Sequence, residues 1–214
     1  MNAFYENIIK KLGEESFKKI QASKIGIAGA GGLGSNCAPN LVRTGFRRIT
    51  IVDFDIIDCS NLDRQFYFAD QVGMYKVEAI KINLCRINPD LELSAINSKV
   101  EAGNVERLFG DCDVIAECLD SAENKSMLVS SAIKLGKFTV TVSGLGGYGR
   151  SDDIRIRKIK DNLVVIGDLE SDISARPAVS PRVNVAAAKQ ADVILEHVIN
   201  SIPQKKVKKI LDKV

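Results

Sequence analysis

Short apolar runs alternate with longer amphipathic segments along most of the chain. The first complete unit has an apolar run at 24–29, a segment of helical period at 32–45 and a second apolar run at 47–55. Short apolar runs that end at glycine or aspartate are typical of buried strands, whereas a period near 3.6 indicates a helix packed on one side. The three segments therefore predict a β-α-β unit.

The same alternation continues to about residue 149. One or two amphipathic helices are expected near 4–20, further helices at 77–87, 104–110 and 124–136, and strands at 91–97, 113–120 and 137–144. Strands that alternate with helices predict an α/β fold, a doubly wound, mostly parallel sheet of the Rossmann-like kind with helices on both faces.

The pattern changes after residue 149. Two short runs, at 154–159 and 162–167, predict a hairpin, and a loop at 168–182 precedes a strong helix at 183–199. The basic tail that follows is interpreted as a solvated helix face. No repeat, low-complexity tract or linker interrupts the chain, so residues 1–214 are treated as one domain with an added C-terminal hairpin and helix.

Composition excludes several classes of protein. The 214 residues carry 30 basic and 27 acidic side chains, a net charge of +3, which argues against a dedicated nucleic-acid surface. No apolar run approaches the roughly 20 residues of a membrane span, and the N-terminus does not resemble a signal peptide. We therefore expect a cytoplasmic protein. The five cysteines contain no C-x-x-C pair, so neither a disulfide framework nor a zinc site is expected.

A glycine-rich turn follows the first predicted strand. Its G-x-G-x-x-G spacing uses Gly29, Gly31 and Gly34, with Gly32 between them. Such a turn brings backbone N–H groups and a helix N-terminus close to phosphates, and Asp53, at the end of the second strand, lies where an acid takes ribose hydroxyls. The spacing alone leaves a dinucleotide, ATP or a turn needed only for packing as alternatives.

Polar residues beyond Asp53 favour a triphosphate. Asn61, Arg64 and Gln65 follow it closely, and Lys76 comes soon after. Arginine and lysine can neutralise phosphates, and Asp120, predicted at the end of the fourth strand, can hold Mg²⁺ at the same sheet edge. Taken singly, Arg64 could be a surface ion pair, Lys76 a solvated helix start and Asp120 a helix cap.

In this order, the segments GAGGLGSN, DFDIIDCSNLDRQ, VGMYK and CLDSAENK resemble the ThiF/MoeB family of ubiquitin-activating-enzyme-like adenylyltransferases, most closely its compact ThiF-type branch. The likeness extends from about residue 10 to about residue 200 and implies Mg-ATP-dependent adenylylation of the C-terminal glycine of a small ubiquitin-fold carrier protein, by a homodimer. It assigns ribose binding to Asp53, phosphate binding to Asn61, Arg64 and Lys76, and Mg²⁺ to Asp120; Arg64, Lys76 and Asp120 are the expected catalytic residues.

The chain departs from that family pattern in three respects. It lacks the two C-x-x-C zinc pairs, has no cysteine after Cys118 for a covalent sulfur step, and has no arginine in its first helix, where Lys10 or Lys11 would have to substitute. The chemistry itself needs no general base, because an α-carboxyl with a pKa of about 3.5 is ionised at neutral pH. His197 is accordingly expected to be structural.

The preferred interpretation is activation of a ThiS-like carrier in thiamine thiazole synthesis. The loop at 168–182 and the glycine-rich segment at 143–150 are expected to line the path of the carrier's tail, with a plain turn as the alternative for 143–150. A molybdopterin-type carrier or a tRNA base remains an alternative substrate on the same fold. An NAD-dependent oxidoreductase and a non-catalytic binding module are the alternatives from other classes.

Overall fold

A single sheet of seven strands organises the chain in the computed structural model, which describes residues 3–201. The strands are β1 (Lys24–Ala28), β2 (Arg48–Asp53), β3 (Glu92–Asn97), β4 (Val114–Glu117), β5 (Phe138–Val142), β6 (Arg155–Lys160) and β7 (Leu163–Gly167). The helices are α1 (Ala3–Leu12), α2 (Glu14–Ala22), α3 (Gly32–Arg43), α4 (Lys76–Cys85), α5 (Val105–Phe109), α6 (Ala122–Lys134) and α7 (Ser180–Asn200).

The strand order is β3-β2-β1-β4-β5-β7-β6. All neighbouring pairs are parallel except β6, which runs antiparallel to β7 at the edge. From β1 the chain adds β2 and β3 on one side and β4 and β5 on the other, so the order reverses between β1 and β4. A crevice at the carboxyl ends of the strands is expected at such a reversal, and the predicted doubly wound sheet with its hairpin is confirmed.

Helices cover both faces, as predicted. Ile25 and Ile27 of β1 point into a core closed by α2, α3, α4 and α7, whereas Ala28 joins a smaller core closed by α5 and α6. Gly26 also faces the smaller core, where an added Cβ would lie 2.6 Å from the ring of Phe109. Side chains of β1 thus alternate between two buried layers, as in a strand covered on both sides.

Two boundaries differ from the sequence-based expectation. The fourth strand ends at Glu117, so Asp120 lies in the turn beyond it rather than at its end. The loop predicted to reach 182 ends earlier, because α7 already begins at Ser180 with Pro181 in its first turn, a favoured position for proline. The predicted basic tail at 202–214 lies outside the described residues.

No helix within residues 3–201 is both long and apolar enough to cross a membrane.

Candidate functional site

The glycine turn joins β1 to α3 where the sheet order reverses. Gly29 has φ +99, and a Cβ there would lie 2.5 Å from the carbonyl oxygen of Cys118, so the ends of β1 and β4 can approach this closely only at glycine. Gly34 lies beneath the turn, where a Cβ would fall 1.8 Å from the Gly29 oxygen. Gly31 has no heavy atom within 4 Å of its Cβ position. The turn is therefore tight below and open above.

A cavity of about 910 Å³ opens above this turn, at the carboxyl ends of the strands. Every predicted site residue except Gly34 lines it: Gly29, Gly31, Gly32, Asp53, Asn61, Arg64, Lys76 and Asp120. Gly34, which the G-x-G-x-x-G spacing includes in the predicted nucleotide-binding turn, does not line the cavity and packs beneath the turn. The expectation that Asp53 and Asp120 face the same cleft is confirmed.

The Asp53 carboxylate ties the glycine turn to the end of β2. Its Oδ2 accepts a hydrogen bond from the Ala30 N–H at 2.6 Å, and its Oδ1 accepts one from the Asp55 N–H at 2.8 Å. Each carboxylate oxygen can accept a second hydrogen bond. Asp53 is therefore held in a fixed orientation at the cavity wall and retains the capacity to bind hydroxyl groups.

Lys76 is the first residue of α4, and its side chain is only 7% exposed. Its Nζ lies 2.6 Å from Asp55 Oδ2, and its backbone N–H donates to the Asp55 carbonyl at 2.9 Å. The alternative of a solvated helix start is therefore wrong. A cation removed from water this completely acts strongly on a nearby anion.

Arg64 lines the cavity but is paired with its neighbour. Its Nη1 donates to Asp63 Oδ1 at 2.7 Å and to the Ser60 carbonyl at 3.1 Å, and its side chain is 31% exposed. Asn61 shapes the same turn, because its Oδ1 accepts from the Asp58 N–H at 3.1 Å. The surface-ion-pair alternative for Arg64 is thus present in the structure, at the rim of the cavity.

Asp120 stands exposed at the opposite wall. Its Oδ1 accepts from the Ser121 N–H at 2.7 Å. The N-cap of α6 is Ser121, whose Oγ accepts from the Asn124 N–H at 3.2 Å. The helix-cap role considered for Asp120 therefore belongs to its neighbour, and a second structural partner for the Asp120 carboxylate is absent from the hydrogen bonds and ion pairs of the described residues.

A buried ion pair between Glu117 and Lys125 lies beneath this wall and was not predicted from the sequence. Glu117 is fully buried, and its carboxylate accepts from Lys125 Nζ at 3.0 and 3.2 Å, from Thr141 Oγ1 at 2.5 Å and from the Leu119 N–H at 2.6 Å. Lys125 also lines the cavity. The available indication was a glutamate inside an otherwise apolar run, since such an acid requires a buried partner.

Cys118 and His197 both make packing contacts, which for His197 agrees with the expected structural role. Cys118 is buried, its Sγ donates to Gln190 Oε1 at 3.4 Å, and burial raises its pKa, which disfavours the nucleophilic thiolate. His197 stacks on Phe138 with ring centroids 3.6 Å apart, and burial lowers its pKa. No cluster of three or more metal-ligating His, Cys, Asp or Glu side chains occurs in residues 3–201.

Both late loops contribute to the cavity. Residues 142–145 and 169–173 line it, and the loops contact each other where the Gly147 N–H donates to the Arg176 carbonyl at 3.1 Å. This confirms that the two segments border the site. Arg182, which the sequence analysis placed in the loop, lies buried in the first turn of α7.

Known proteins with related sequences cover parts of the chain. An adenylyltransferase and sulfurtransferase UBA4 of Candida glabrata is 37% identical over 133 residues, 62% of this chain and 31% of that protein. A molybdopterin-synthase adenylyltransferase of Haemophilus influenzae is 34% identical over 122 residues, 56% of this chain and 50% of that protein. The tRNA threonylcarbamoyladenosine dehydratase 2 of Saccharomyces cerevisiae is 33% identical over 155 residues, 71% of this chain and 34% of that protein. The chain spans between about a fifth and a half of the length of such relatives.

Solved structures share the fold over nearly the whole chain. The E. coli tRNA N6-threonylcarbamoyladenosine dehydratase TcdA, in complex with ATP, has a TM-score of 0.79 and 21% identity, covering 98% of this chain and 96% of that one. E. coli MccB with ATP has a TM-score of 0.72 and 20% identity, covering 93% of this chain and 64% of that one. The ThiF family model matches residues 5–202, and the chain therefore belongs to the ThiF family.

Proposed function

We propose that this chain uses ATP to adenylylate the C-terminal glycine carboxylate of a small ubiquitin-fold carrier protein, with release of pyrophosphate. The observation that carries the proposal is the convergence of the glycine turn, Asp53, Lys76, Arg64 and Asp120 on one cavity at the sheet reversal. Some of these residues have ordinary structural contacts, such as the ion pair between Arg64 and Asp63. Their common location is what a triphosphate site requires.

The nucleotide is proposed to lie with its phosphates over the start of α3. Gly31 is the N-cap and Gly32 the first residue of that helix, so unpaired N–H groups and the positive end of the helix dipole border the cavity. Asp53 is assigned to the ribose, and Asn61, Arg64 and Lys76 to the phosphates. Binding of ATP by TcdA and MccB, which share the fold, supports this assignment.

Mg²⁺ is the proposed metal, and Asp120 would hold it. Mg²⁺ is usually bound by one or two carboxylates together with substrate phosphates rather than by a cage of protein ligands. Asp120 is one of several carboxylates that line the cavity, and no group of three or more His, Cys, Asp or Glu that could hold a metal by itself occurs in residues 3–201, which fits that donor set. When bound, the ion would neutralise phosphate charge that the protein residues do not reach. No zinc is proposed.

The proposed reaction forms one bond and breaks one. A carboxylate oxygen of the acceptor bonds to the α-phosphorus, the bond from that phosphorus to the bridging oxygen of the β-phosphate breaks, and pyrophosphate leaves with the electron pair. Because the nucleophile is already ionised, the chain has to supply position and positive charge rather than a base. Lys76 and Arg64 supply the charge where it accumulates on the leaving group.

A ThiS-like carrier is the proposed partner, and a homodimer the proposed assembly. The family likeness supports the carrier, and relatives described as adenylyltransferases agree with the reaction class. The loop at 169–173 brings Leu169 and Ile173 to the cavity, each about half exposed. Apolar side chains beside a glycine-rich segment suit an extended tail that ends in glycines.

A tRNA substrate is the second candidate. It is favoured by the yeast relative named for a tRNA nucleoside and by the edge strand β6, which carries exposed basic side chains at Arg155, Lys158 and Lys160. Basic groups on a sheet edge suit phosphate contacts. Charged edge strands also prevent sheet-to-sheet association, so this feature alone does not require RNA.

Exchange of labelled pyrophosphate into ATP tests the proposal. We expect exchange that requires the chain, Mg-ATP and a carrier ending in Gly-Gly, and none with the carrier shortened by its last glycine. Exchange that depends on tRNA and ignores the carrier would establish the second candidate. Calorimetry with both nucleotides separates the oxidoreductase alternative, because tighter binding of NAD than of Mg-ATP would overturn the nucleotide assignment.

A further inference from the structure

A buried ion pair joins the two loops that border the cavity. We call the segments 143–150 and 168–173 the wall loops. Arg182, 3% exposed, donates from Nη2 to Asp168 Oδ2 at 2.5 Å. Its Nη1 donates to the carbonyl oxygens of Gly149 at 2.7 Å and Arg150 at 3.2 Å. One guanidinium therefore links the first turn of α7 to both wall loops.

Asp168 also holds residues that line the cavity, through hydrogen bonds to their backbone. Its Oδ1 accepts from the N–H groups of Glu170 at 2.9 Å and Ser171 at 2.8 Å, and both of those residues line the cavity. Burial by itself would raise the pKa of Asp168, but these N–H groups and the charge of Arg182 outweigh it and lower the pKa to about 2. The carboxylate is therefore ionised throughout the neutral range.

The backbone around the pair is tightly specified. A Cβ on Gly144 would lie 2.0 Å from Asp168 Oδ1, and Leu169 has φ +66, which a non-glycine residue rarely adopts. Strained backbone of this kind persists where the surrounding structure holds it, most often near functional sites.

A contribution to folding stability alone does not explain why the ion pair between Arg182 and Asp168 is buried. An ion pair this deeply buried loses hydration that its attraction does not necessarily restore. The buried Arg182 Nε also has no hydrogen-bond partner in the described part of the chain. The next residue, Val183, lies against the glycine turn, 3.2 Å from the Cβ position of Gly32. The same turn of α7 thus contacts the nucleotide side of the cavity and fixes its opposite wall.

We propose that Arg182 is a positioning residue which, through Asp168, fixes the wall loops so that the carboxylate-bearing tail of the acceptor is held in one orientation beside the nucleotide. Neither side chain lines the cavity, so both act through the loops. The identity of the acceptor rests on the proposed function. The link that Arg182 and Asp168 form between the wall loops, which we call the clamp, does not rest on it.

The test uses Arg182→Lys, which keeps the charge but loses the forked geometry, and Asp168→Asn, which keeps an oxygen for the loop N–H groups. Lys189→Met is the matched control, since Lys189 lies on the same helix and donates to the Ile154 carbonyl, away from the wall loops. We expect the KM for the carrier to rise by about 10- to 100-fold in the first two variants. The KM for ATP should stay within about twofold, and amide exchange at 169–172 should accelerate.

If a single variant fails to fold, Arg182→Met combined with Asp168→Asn removes both charges, so that no unpaired ion stays buried, and should show the same rise in KM. An unchanged KM for the carrier in a folded variant overturns the positioning role, even if amide exchange accelerates. Equal rises for ATP and carrier also overturn it. Failure of the proposed function appears separately, as no exchange by the parent chain with any carrier; amide exchange at 169–172 then decides whether the clamp exists.

Discussion

Replacing Lys76 by methionine removes a buried cation from the cavity while nearly preserving side-chain volume. The ammonium is almost fully enclosed and lies 2.6 Å from Asp55 Oδ2, whereas the Asp55 side chain is 48% exposed. Loss of the lysine therefore leaves a carboxylate that water can still hydrate. The fold should survive, and the stability change should stay within about 1 kcal/mol, as for exposed ion pairs.

The expected loss lies in catalysis. A hydrogen bond from a charged group to a phosphate oxygen contributes about 1.5–3 kcal/mol. At about 1.4 kcal/mol for each factor of ten, kcat/KM for ATP should fall by roughly 10- to 150-fold. Part of the effect should appear in kcat, since charge on the β- and γ-phosphates grows as pyrophosphate leaves.

Carrier-dependent pyrophosphate exchange measures this loss, and thermal unfolding checks the fold. Lys24→Met is the matched control. Lys24 is also mostly buried, with a side chain 18% exposed, and contacts a carboxylate, that of Asp111, but it lies at the amino end of β1, away from the cavity. The control should exchange at the parent rate. A folded Lys76→Met protein within threefold of the parent would refute the phosphate role, and one that unfolds would show that Lys76 is structural.

Three further outcomes are expected. Asp120→Asn should stay folded, because Ser121 caps α6, but should lose more than about 10²-fold in exchange at saturating Mg-ATP and carrier; a few-fold loss would contradict the metal role. Gly34→Ala should be destabilised by at least about 1–3 kcal/mol in denaturant, because its Cβ meets backbone at 1.8 Å, whereas Gly31→Ala, in open space, should fold normally; equal midpoints would contradict the packing argument. Burial lowers the pKa of His197, so the unfolded chain binds that proton at higher pH than the folded chain, and stability should fall as pH drops below 6.5. His197→Phe should weaken this pH dependence, measured as the difference in Tm between about pH 5.5 and 7.5. An identical difference in Tm for parent and variant would contradict the expectation.

Most of the fold was predictable because its determinants are local. The apolar run and glycine turn at 24–34 specify a strand, a turn and a helix by short-range sterics, and Gly29 and Gly34 are required by contacts within that same unit or with the adjacent strand end. The location of Asp53 and Asp120 at one cleft follows from parallel strands sharing one edge. These inferences need only the periodicity and the order of elements.

The two buried ion pairs were not predicted from the sequence, because they depend on contacts between residues far apart in the chain. Arg182 was placed in a loop because proline and polar residues precede it, yet it pairs with Asp168 and with carbonyls more than thirty residues away. Glu117 of β4 accepts hydrogen bonds from both Lys125 of α6 and Thr141 of β5, so three elements that are separate in the sequence meet at this carboxylate. Periodicity carries no information about which buried charges meet, since that depends on how strands, helices and loops pack together.

The measurement that tests the central claim most directly is detection of the acyl-adenylate itself. The chain is incubated with Mg-ATP and a Gly-Gly-tailed carrier, quenched in acid, and the carrier is examined by intact-mass and fragment-ion spectrometry. We expect an AMP adduct on the terminal glycine, formed at least about tenfold more slowly with Lys76→Met and at the parent rate with Lys24→Met. A carrier that stays unmodified under conditions where the chain consumes ATP, or an adduct located elsewhere than the C-terminus, would contradict it.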